Sequence, residues 1–368
     1  MKKVDNWILI TIVALAIFGL VMMSSMSIAP SFRIKGENDY FLWRHFMYLI
    51  LGSGAFFVGF KTPLEKIKKF SPLIFGGGIL MLLLTFFIGQ NNGTFASLWL
   101  NIGGFSFQPI EMAKLTTIIF LASIFASKKN AANTLDGGFI PFAVLFGIPA
   151  IILIIQSDFG SLLVLSIAAA AIYFIAGANI KHFFAGIGSA ILGMIIVTLT
   201  VPYVQKRVMT FLNPENDLQG SGFQVKQALI AIGSGGNFGR GFQNSIQKFD
   251  YLPEVQSDTI FAAISEEMGF VRIIFLVAAF LFIALRGFKI AENSNSEFSR
   301  YLAIGISTLL VGQAFINIGV NLALLPNTGI TLPLISYGGS SMIFTLLSAG
   351  ILLQISGDTE QKKARKRW

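Results

Sequence analysis

The sequence has 368 residues, a mean hydropathy of +0.72 and a formal net charge of +9, yet only 12% of its residues are charged. Soluble domains carry about 25% charged residues, so this composition excludes an ordinary soluble domain and indicates a membrane protein. The basic residues fall in short clusters between apolar runs, which argues against nucleic-acid binding. There is no cysteine, and the two histidines, His45 and His182, lie far apart in the sequence. Disulfides and thiolate sites are therefore excluded, and a His-based triad or zinc site is not expected.

Ten apolar runs are candidates for membrane spans, which need about 20 residues each. The first run begins at Trp7 and is longer than a signal-peptide core, so it is interpreted as a retained span. The predicted spans are 7–28, 45–60, 71–89, 109–127, 138–156, 159–177, 182–202, 259–286, 300–323 and 332–355. The fold class is therefore an all-α membrane protein, a polytopic bundle of about ten transmembrane helices. We expect a single integral membrane domain over residues 1–368.

The positions of lysine and arginine orient the bundle. With a cytoplasmic N-terminus, 17 of the 27 basic residues fall in inner segments and 8 in outer segments, as the positive-inside rule requires. Five of the outer eight lie in the longest connection, about 203–258, between spans 7 and 8. Loops of this length are usually functional or disordered, and the apolar stretch 224–232 inside it predicts an ordered cap over an outer cavity. Both termini are expected in the cytoplasm, with the basic tail, about 356–368, against anionic lipid headgroups.

Ionisable residues at the outer ends of spans are candidate site residues, because charges in a membrane are costly. Glu111 and Lys114 begin the fourth span at i,i+3 spacing and so share one helix face. They form either a self-neutralising ion pair or a lysine presented to an anionic substrate. Asp158 lies in a tight outer turn, where it either bonds its own backbone or contacts a substrate or ion.

The end of the long loop carries the most distinctive acidic residues. Asp258 stands where a helix is predicted to begin, and Glu266 and Glu267 follow about two turns later. A structural interpretation has Ser257 or Asp258 cap this helix, or one of the two glutamates pair with Arg272. Composition alone leaves these interpretations nearly even with a catalytic one.

Two further segments are candidates for binding. The glycine-rich run 233–241, with the basic residues Arg207 and Lys248 in the same loop, offers backbone N–H groups and positive charge to a phosphate. The run has no P-loop or dinucleotide pattern, and a solvated loop is the alternative. The outer turn 325–341 has proline and glycine followed by small residues, which are typical of close helix packing or of a broken helix lining a cavity.

Four motifs follow one another along the chain on the predicted outer side. They are QPIEMAK at 108–114, QSDFGS at 156–161, LPEVQSDTIF with EEMG within 252–269, and NTGITLPLISYGGSS at 327–341. Together they resemble the motifs of the SEDS proteins, the RodA/FtsW group of bacterial cell-wall polymerases, over nearly the whole chain. The run 244–248 is slightly more similar to the division branch than to the elongation branch. The pattern departs at Leu98 and Gln256, where many members have Arg and His.

The resemblance implies a ten-span fold and a peptidoglycan glycosyltransferase in the bacterial cytoplasmic membrane, with its active site on the outer face. It implies lipid II, an undecaprenyl-pyrophosphate-linked disaccharide pentapeptide, as substrate and a class B penicillin-binding protein as partner. Asp258 would be the catalytic base of an inverting transfer. The candidate substrate-binding residues are Lys114, Glu111, Asp158, Arg207, Lys248, Glu267, Ser336 and Ser340. No cofactor is certain, although a divalent cation, Mg²⁺ or Mn²⁺, is chemically reasonable beside a diphosphate.

Two other classes of function remain open at the level of sequence. A lipid II flippase or another transporter also fits charges within spans and spans broken by glycine and proline. The absence of visible inverted repeats in the sequence and the long outer loop weigh against it. A non-catalytic scaffold of the cell-wall machinery is the third class, and it predicts that Asp258 is dispensable.

Overall fold

The computed structural model describes residues 4–88, 98–103, 105–127, 131–214, 217 and 220–365. The helices of this part of the chain, in order, are α1 (Asn6–Met26), α2 (Ile28–Lys35), α3 (Tyr40–Lys61), α4 (Leu64–Ile88), α5 (Pro109–Ser127), α6 (Ile140–Ile155), α7 (Phe159–Ile175), α8 (Ile180–Thr200), α9 (Pro202–Leu212), α10 (Ser221–Gly235), α11 (Ile260–Glu292), α12 (Glu297–Asn321) and α13 (Gly339–Arg365). A 3₁₀ turn (Ala131–Asn133) and a π-helical turn (Leu135–Phe139) precede α6. Strands β1 (Leu100–Ile102) and β2 (Phe105–Phe107) form an antiparallel hairpin that pairs Leu100 with Phe107.

Ten apolar helices confirm the predicted all-α membrane fold. Within the described ranges, nine helices are long and apolar enough to cross a membrane, if α6 is taken together with the π-helical turn before it. The tenth, α7, is shorter at 17 residues. Each predicted span has one of these helices as its counterpart, so the chain is a multi-pass membrane protein.

The starts of two spans differ most from the prediction, by seven residues each. The last span begins at Gly339 rather than at 332, because residues 332–338 form a turn in which the Ser336 hydroxyl accepts a hydrogen bond from the Leu332 N–H at 2.7 Å. The third span begins at Leu64 rather than at 71 and continues through Pro72. The backbone of α13 extends to Arg365, but the side chains from 359 onward, which carry the predicted basic tail, lie outside the described residues.

The core of the bundle lies around three helices. In the apolar segment of α13, 83% of the residues are buried, and the corresponding fractions for α12 and α5 are 78% and 72%. Glycines allow α13 to pack directly on α3, since a Cβ at Gly350 would collide with the backbone carbonyl of Phe56. In contrast, α8 has no buried residue and lies at the periphery of the bundle.

The long connection between spans 7 and 8 is ordered where the structure describes it, as predicted. Helix α10 covers the predicted apolar stretch and packs on α11. Helix α11 is broken at Gly269, whose φ of 75° is left-handed. The loop after α10 hydrogen bonds to both sides of the break: the Arg240 N–H donates to the Glu266 carbonyl at 2.9 Å, and the Phe270 N–H donates to the Gly236 carbonyl at 2.9 Å.

Candidate active site

A cavity of about 620 Å³ opens at one end of the bundle, where the segments around α5, α7 and α9 meet the turn before α13. Its charged lining residues are Glu111, Asp158, Arg207 and Glu254. Aromatic side chains, among them Tyr48, Trp99 and Tyr337, form other parts of the wall. The cavity thus combines apolar surface with both signs of charge.

Asp258 lies beside this cavity at the end of the long loop. Its predecessor Ser257 lines the cavity, and the Gln224 amide donates to Asp258 Oδ2 at 3.3 Å, whereas Oδ1 is buried with no hydrogen-bond partner among the described residues. Burial, together with the negative charge of Glu254, raises the pKa of Asp258 to about 7. The hydrogen bond from Gln224 and the positive charge of Arg207 act in the opposite direction and lower this pKa. A carboxyl group with this pKa exchanges protons near neutral pH.

The backbone around Asp258 is held by amide side chains of α12. Asn317 and Asn321 both donate to the carbonyl of Asp258, at 2.8 and 2.9 Å. Thr259 occupies the N-cap position of α11 without a side-chain capping bond, so the interpretation that Ser257 or Asp258 caps the helix is wrong. The Asp258 carboxyl is therefore not committed to the helix end.

Arg207 reaches the same region from α9. Its guanidinium donates to the Asn327 carbonyl at 3.1 Å, and the Asn327 amide donates to Gln224 Oε1 at 2.7 Å. Because Gln224 in turn bonds Asp258, one hydrogen-bonded chain connects α9, the last outer turn, α10 and the carboxyl group. The long loop and the last outer turn, far apart in sequence, are thereby joined beside the cavity.

Glu111 and Lys114 form an ion pair, which was one of the two interpretations of the sequence. Lys114 Nζ lies 2.8 Å from Glu111 Oε1 and 2.8 Å from Gln313 Oε1, and the lysine is only 1% exposed. Glu111 lines the cavity, but Lys114 lies behind it. The geometry favours the self-neutralising pair, and direct contact of Lys114 with a substrate stays a prediction.

Three of the five remaining candidates, Asp158, Ser336 and Ser340, lie in or against the cavity wall. Asp158 lines the cavity and accepts the Ser161 N–H at 3.0 Å, which confirms the bond to its own backbone. Ser336 donates to the Ser257 carbonyl at 2.6 Å, and Ser340 accepts the Gln108 N–H at 2.8 Å. Both serines therefore connect segments of the wall, and their contact with a substrate stays a prediction.

Lys248 and Glu267 form a second buried ion pair away from the lining of this cavity. Lys248 Nζ lies 3.0 Å from Glu267 Oε1, and Ser25 of α1 donates to the same oxygen at 2.6 Å. The structure thus does not bring these two candidates to the described cavity wall. The predicted pairing of Glu266 or Glu267 with Arg272 is wrong, because Arg272 donates to backbone carbonyls, one of them that of Phe238 at 2.9 Å.

Glu266 attaches the loop after α10 to α11. Its carboxylate accepts the Ser245 hydroxyl and the N–H groups of Ile246 and Gln247, the last two at 3.2 Å each. Arg240 Nε lies 3.4 Å from the same carboxylate. Phosphate binding by the run 233–241 stays a prediction, since part of this loop serves to hold the break in α11.

The sequence interpretation missed five amides and one acid of the site, and two of the amides, Gln224 and Asn327, lie in the hydrogen-bonded chain to Asp258. Gln313, Asn317 and Asn321 recur every four residues on one face of an otherwise apolar span, which is a readable signal for a polar seam. Glu254, which influences Asp258, lies in a recognised motif but was given no role. Among the residues that the structure describes, no three His, Cys, Asp or Glu side chains come together as a metal site.

Comparison with known proteins agrees with this geometry. The model of the FtsW/RodA/SpoVE family, described as cell cycle proteins, matches residues 6–361. Proteins named as probable peptidoglycan glycosyltransferase FtsW are similar: that of Idiomarina loihiensis is 37% identical over 95% of this chain and 86% of its own length, and that of Geobacter metallireducens 38% identical over 96% and 95%. A chain from a structure concerned with the coordination of polymerization and crosslinking by a peptidoglycan synthase complex aligns with a TM-score of 0.81 and 26% identity, covering 98% of this chain and 99% of that one. The chain belongs to the FtsW/RodA/SpoVE family of cell cycle proteins.

Proposed function

We propose that this chain is a peptidoglycan glycosyltransferase that polymerises lipid II into glycan strands at the outer face of the bacterial cytoplasmic membrane. The observation that carries the proposal is the Asp258 carboxyl, whose Oδ1 has no partner among the described residues and whose pKa is raised to about 7 beside a cavity lined by Arg207. The relatives named as peptidoglycan glycosyltransferases support the same activity.

Asp258 fits the role of general base. Forming a β-linkage from an α-pyrophosphate donor inverts the anomeric centre, so one displacement and one base suffice. The acceptor hydroxyl gives its proton to the carboxylate while its oxygen attacks the anomeric carbon and the diphosphate leaves. A base whose pKa lies near the working pH is efficient, because about half of it is ionised and it still holds a proton well.

Arg207 fits the departing diphosphate better than Lys114 does. The guanidinium lies in the cavity wall, whereas Lys114 is buried behind Glu111 and bonded to it. Positive charge aimed at a developing anion stabilises the transition state of such a transfer. In this proposal Glu111 and Lys114 mainly stabilise the part of the cavity wall that α5 forms.

A divalent cation is compatible with these residues only in company with the substrate. Mg²⁺ is often bound by one or two carboxylates and completed by phosphate oxygens, and Glu254, which lines the cavity, offers one such carboxylate. When bound, Mg²⁺ or Mn²⁺ would supply positive charge to the leaving diphosphate. Loss of polymerisation in EDTA, restored by Mg²⁺ or Mn²⁺ but not by monovalent salt, would support this assignment.

The orientation of the bundle is part of the proposal. Val4 and Asp358 line one cavity at the end of the bundle opposite the active site, so the two ends of the chain lie on one side. The positive-inside rule makes that side cytoplasmic. Since the sequence has no cysteine, single cysteines at exposed Asp250 of the outer loop and exposed Lys181 give a direct test. An impermeant maleimide should label the first in whole cells and the second only after lysis.

The proposed partner is a class B penicillin-binding protein, and the proposed setting is cell division. The similarity to a chain of a peptidoglycan synthase complex supports a transpeptidase partner. The similarity to relatives named FtsW supports the division branch. Co-purification with the division transpeptidase rather than its elongation counterpart would support this choice.

The test of the activity is polymerisation of labelled lipid II by purified protein, with and without the penicillin-binding protein. Asp258→Asn keeps the shape of the side chain and removes the base, so we expect glycan strands to disappear. Asp250→Asn is the matched control, because Asp250 is an exposed acid of the same loop whose side chain is 59% exposed. The control should polymerise like the wild type.

The same experiment separates the rival functions. A flippase would move lipid II across vesicles without forming polymer. A scaffold would support polymerisation by its partner equally well with Asp258→Asn. Equal polymerisation by Asp258→Asn and wild type would refute Asp258 as the base.

A further inference from the structure

Three hydrogen bonds in series connect the backbone of the last outer turn to the Asp258 carboxyl. The Gly329 N–H donates to Asn327 Oδ1 at 3.1 Å. The Asn327 amide donates to Gln224 Oε1 at 2.7 Å, and the Gln224 amide donates to Asp258 Oδ2 at 3.3 Å. The series thus runs from the turn before α13, through α10, to the segment that enters α11.

The direction of all three bonds is fixed by the first of them. A backbone N–H can only donate, so Asn327 turns its oxygen to Gly329 and its NH₂ group to Gln224. Gln224 then turns its oxygen to Asn327 and its own NH₂ group to Asp258. An unrestrained amide can present either end to a carboxyl group, because the two ends have nearly the same shape. The series therefore presents a donor, and not an acceptor, to Asp258.

A donor at this position favours the ionised form of the carboxyl group, whereas an acceptor would favour the protonated form. Desolvation and the negative charge of Glu254 raise the pKa of Asp258, while the Gln224 bond and the positive charge of Arg207 lower it. The amides of α12 bond the backbone carbonyl of Asp258 and not its carboxyl. Gln224 is therefore the neutral group that supports the carboxylate against its surroundings.

We propose that Gln224 and Asn327 are positioning residues for the transfer, which keep Asp258 available as an ionised base by fixing the direction of these hydrogen bonds. The inference rests on the proposed function, in which Asp258 is the base. Neither amide is among the described residues that line the cavity. Gln224 acts through Asp258, and Asn327 acts through Gln224.

Loss of either amide should raise the pKa of Asp258. Gln224→Met removes the donor and keeps an unbranched side chain, so we expect a rise of about one pH unit, as for the loss of a hydrogen bond to a charged group. Asn327→Leu frees Gln224 to turn its oxygen to the carboxyl and accept its proton, which stabilises the neutral form. The rise should then be roughly half as large. The double variant should rise no further than Gln224→Met alone, because Asn327 acts through Gln224.

Two readouts measure this pKa. The pH–rate profile of lipid II polymerisation reports it through the activity. An infrared titration of the purified protein, taken as the difference from Asp258→Asn, reports protonation of the same carboxyl without turnover. Gln205→Leu, which replaces an exposed glutamine of α9, is the matched control and should leave both readouts unchanged. A purely structural role of the amides would lower the rate at every pH and move neither readout.

The two readouts separate this inference from the proposed function. A rise in the infrared pKa of both variants supports the hydrogen-bond assignment, whereas absence of polymerisation by the wild type counts against the proposed function. An unmoved pKa in Gln224→Met overturns the inference, and this variant alone decides it if the Asn327 variants do not fold. A double-variant shift equal to the sum of the single shifts also overturns it, since Asn327 would then act independently of Gln224.

Discussion

Removing the charge of Lys248 should destabilise the protein severely, because its partner would remain buried. Glu267 is 0% exposed and Lys248 only 2% exposed, and their charged atoms lie 3.0 Å apart. Breaking a buried ion pair by removing one partner costs about 3–5 kcal/mol, since an uncompensated charge stays in a medium of low dielectric. Lys248→Met should therefore lower the midpoint of thermal unfolding by roughly 5–10 °C, taking the few degrees per kcal/mol typical of larger domains.

The matched variants separate charge from shape. The double variant Lys248→Met with Glu267→Gln should recover most of the lost thermal stability. The amide that replaces the carboxylate is neutral and can still accept the hydrogen bond from Ser25. Lys226→Met removes an exposed lysine of α10 and should change the midpoint by less than about 1 °C. Thermal unfolding of the purified protein in one detergent, followed by intrinsic tryptophan fluorescence, gives all the midpoints.

The outcome also decides how the two residues contribute to function. Polymerisation per folded molecule should be reduced less in Lys248→Met than in Asp258→Asn. If Lys248→Met leaves the unfolding midpoint unchanged but abolishes polymerisation, the pair is part of the substrate site and the structural reasoning is refuted. An equal midpoint for the single and double variants would also refute it, since the loss would not come from an unpaired charge.

Further predictions concern the base and the helix packing. Since the pKa of Asp258 is raised to about 7 and the proposed mechanism requires its carboxylate form, the polymerisation rate should fall about tenfold for each pH unit well below 7. The same raised pKa stabilises the folded protein at low pH, and this contribution is lost as the pH rises from about 4 through 7. Glu254→Gln removes a negative charge that raises this pKa, so the pH–rate profile should move to lower pH; an unmoved profile would contradict the assignment. Gly350→Ala, facing the Phe56 carbonyl, should cost about 1–3 kcal/mol by overpacking, whereas Gly54→Ala in α3, with open space around it, should be neutral in thermal unfolding.

Hydropathy and local spacing predicted the spans and the first ion pair. The apolar runs located ten helices, because a membrane-spanning helix needs a continuous run of apolar residues that can be read directly from the sequence. The i,i+3 spacing of Glu111 and Lys114 predicted a shared helix face, and of the two interpretations left open the structure shows the ion pair, at 2.8 Å. Hydropathy wrongly placed residues 332–338 in the last span, because most of them are apolar. In the structure they form a turn before α13, which is set by Pro333 and by the Ser336 hydroxyl.

Long-range partners could not be predicted from the sequence. Gln313 lies 199 residues from Lys114, and Asn327 lies 103 residues from Gln224, so no local pattern pairs them. Charge alone also misassigned Arg272, which is the nearest cation in sequence to the two glutamates but bonds to backbone carbonyls. Choosing between several cations for one buried acid requires the three-dimensional path of the outer loop.

The break in α11 makes the outer loop and the start of the eighth span one cooperative unit. A left-handed Gly269 interrupts the helix, and N–H and carbonyl groups on either side of it bond to the loop after α10, at Arg240 and Gly236. If the loop moved away, these groups would lose their partners close to the membrane, at a cost of several kcal/mol for each group left in hydrocarbon. We therefore expect the segment that carries Asp258 at its outer end to fold together with the loop rather than with the inner half of its own helix. A displacement of the loop should then move the Asp258 carboxyl more than it moves Glu292 at the other end of the helix.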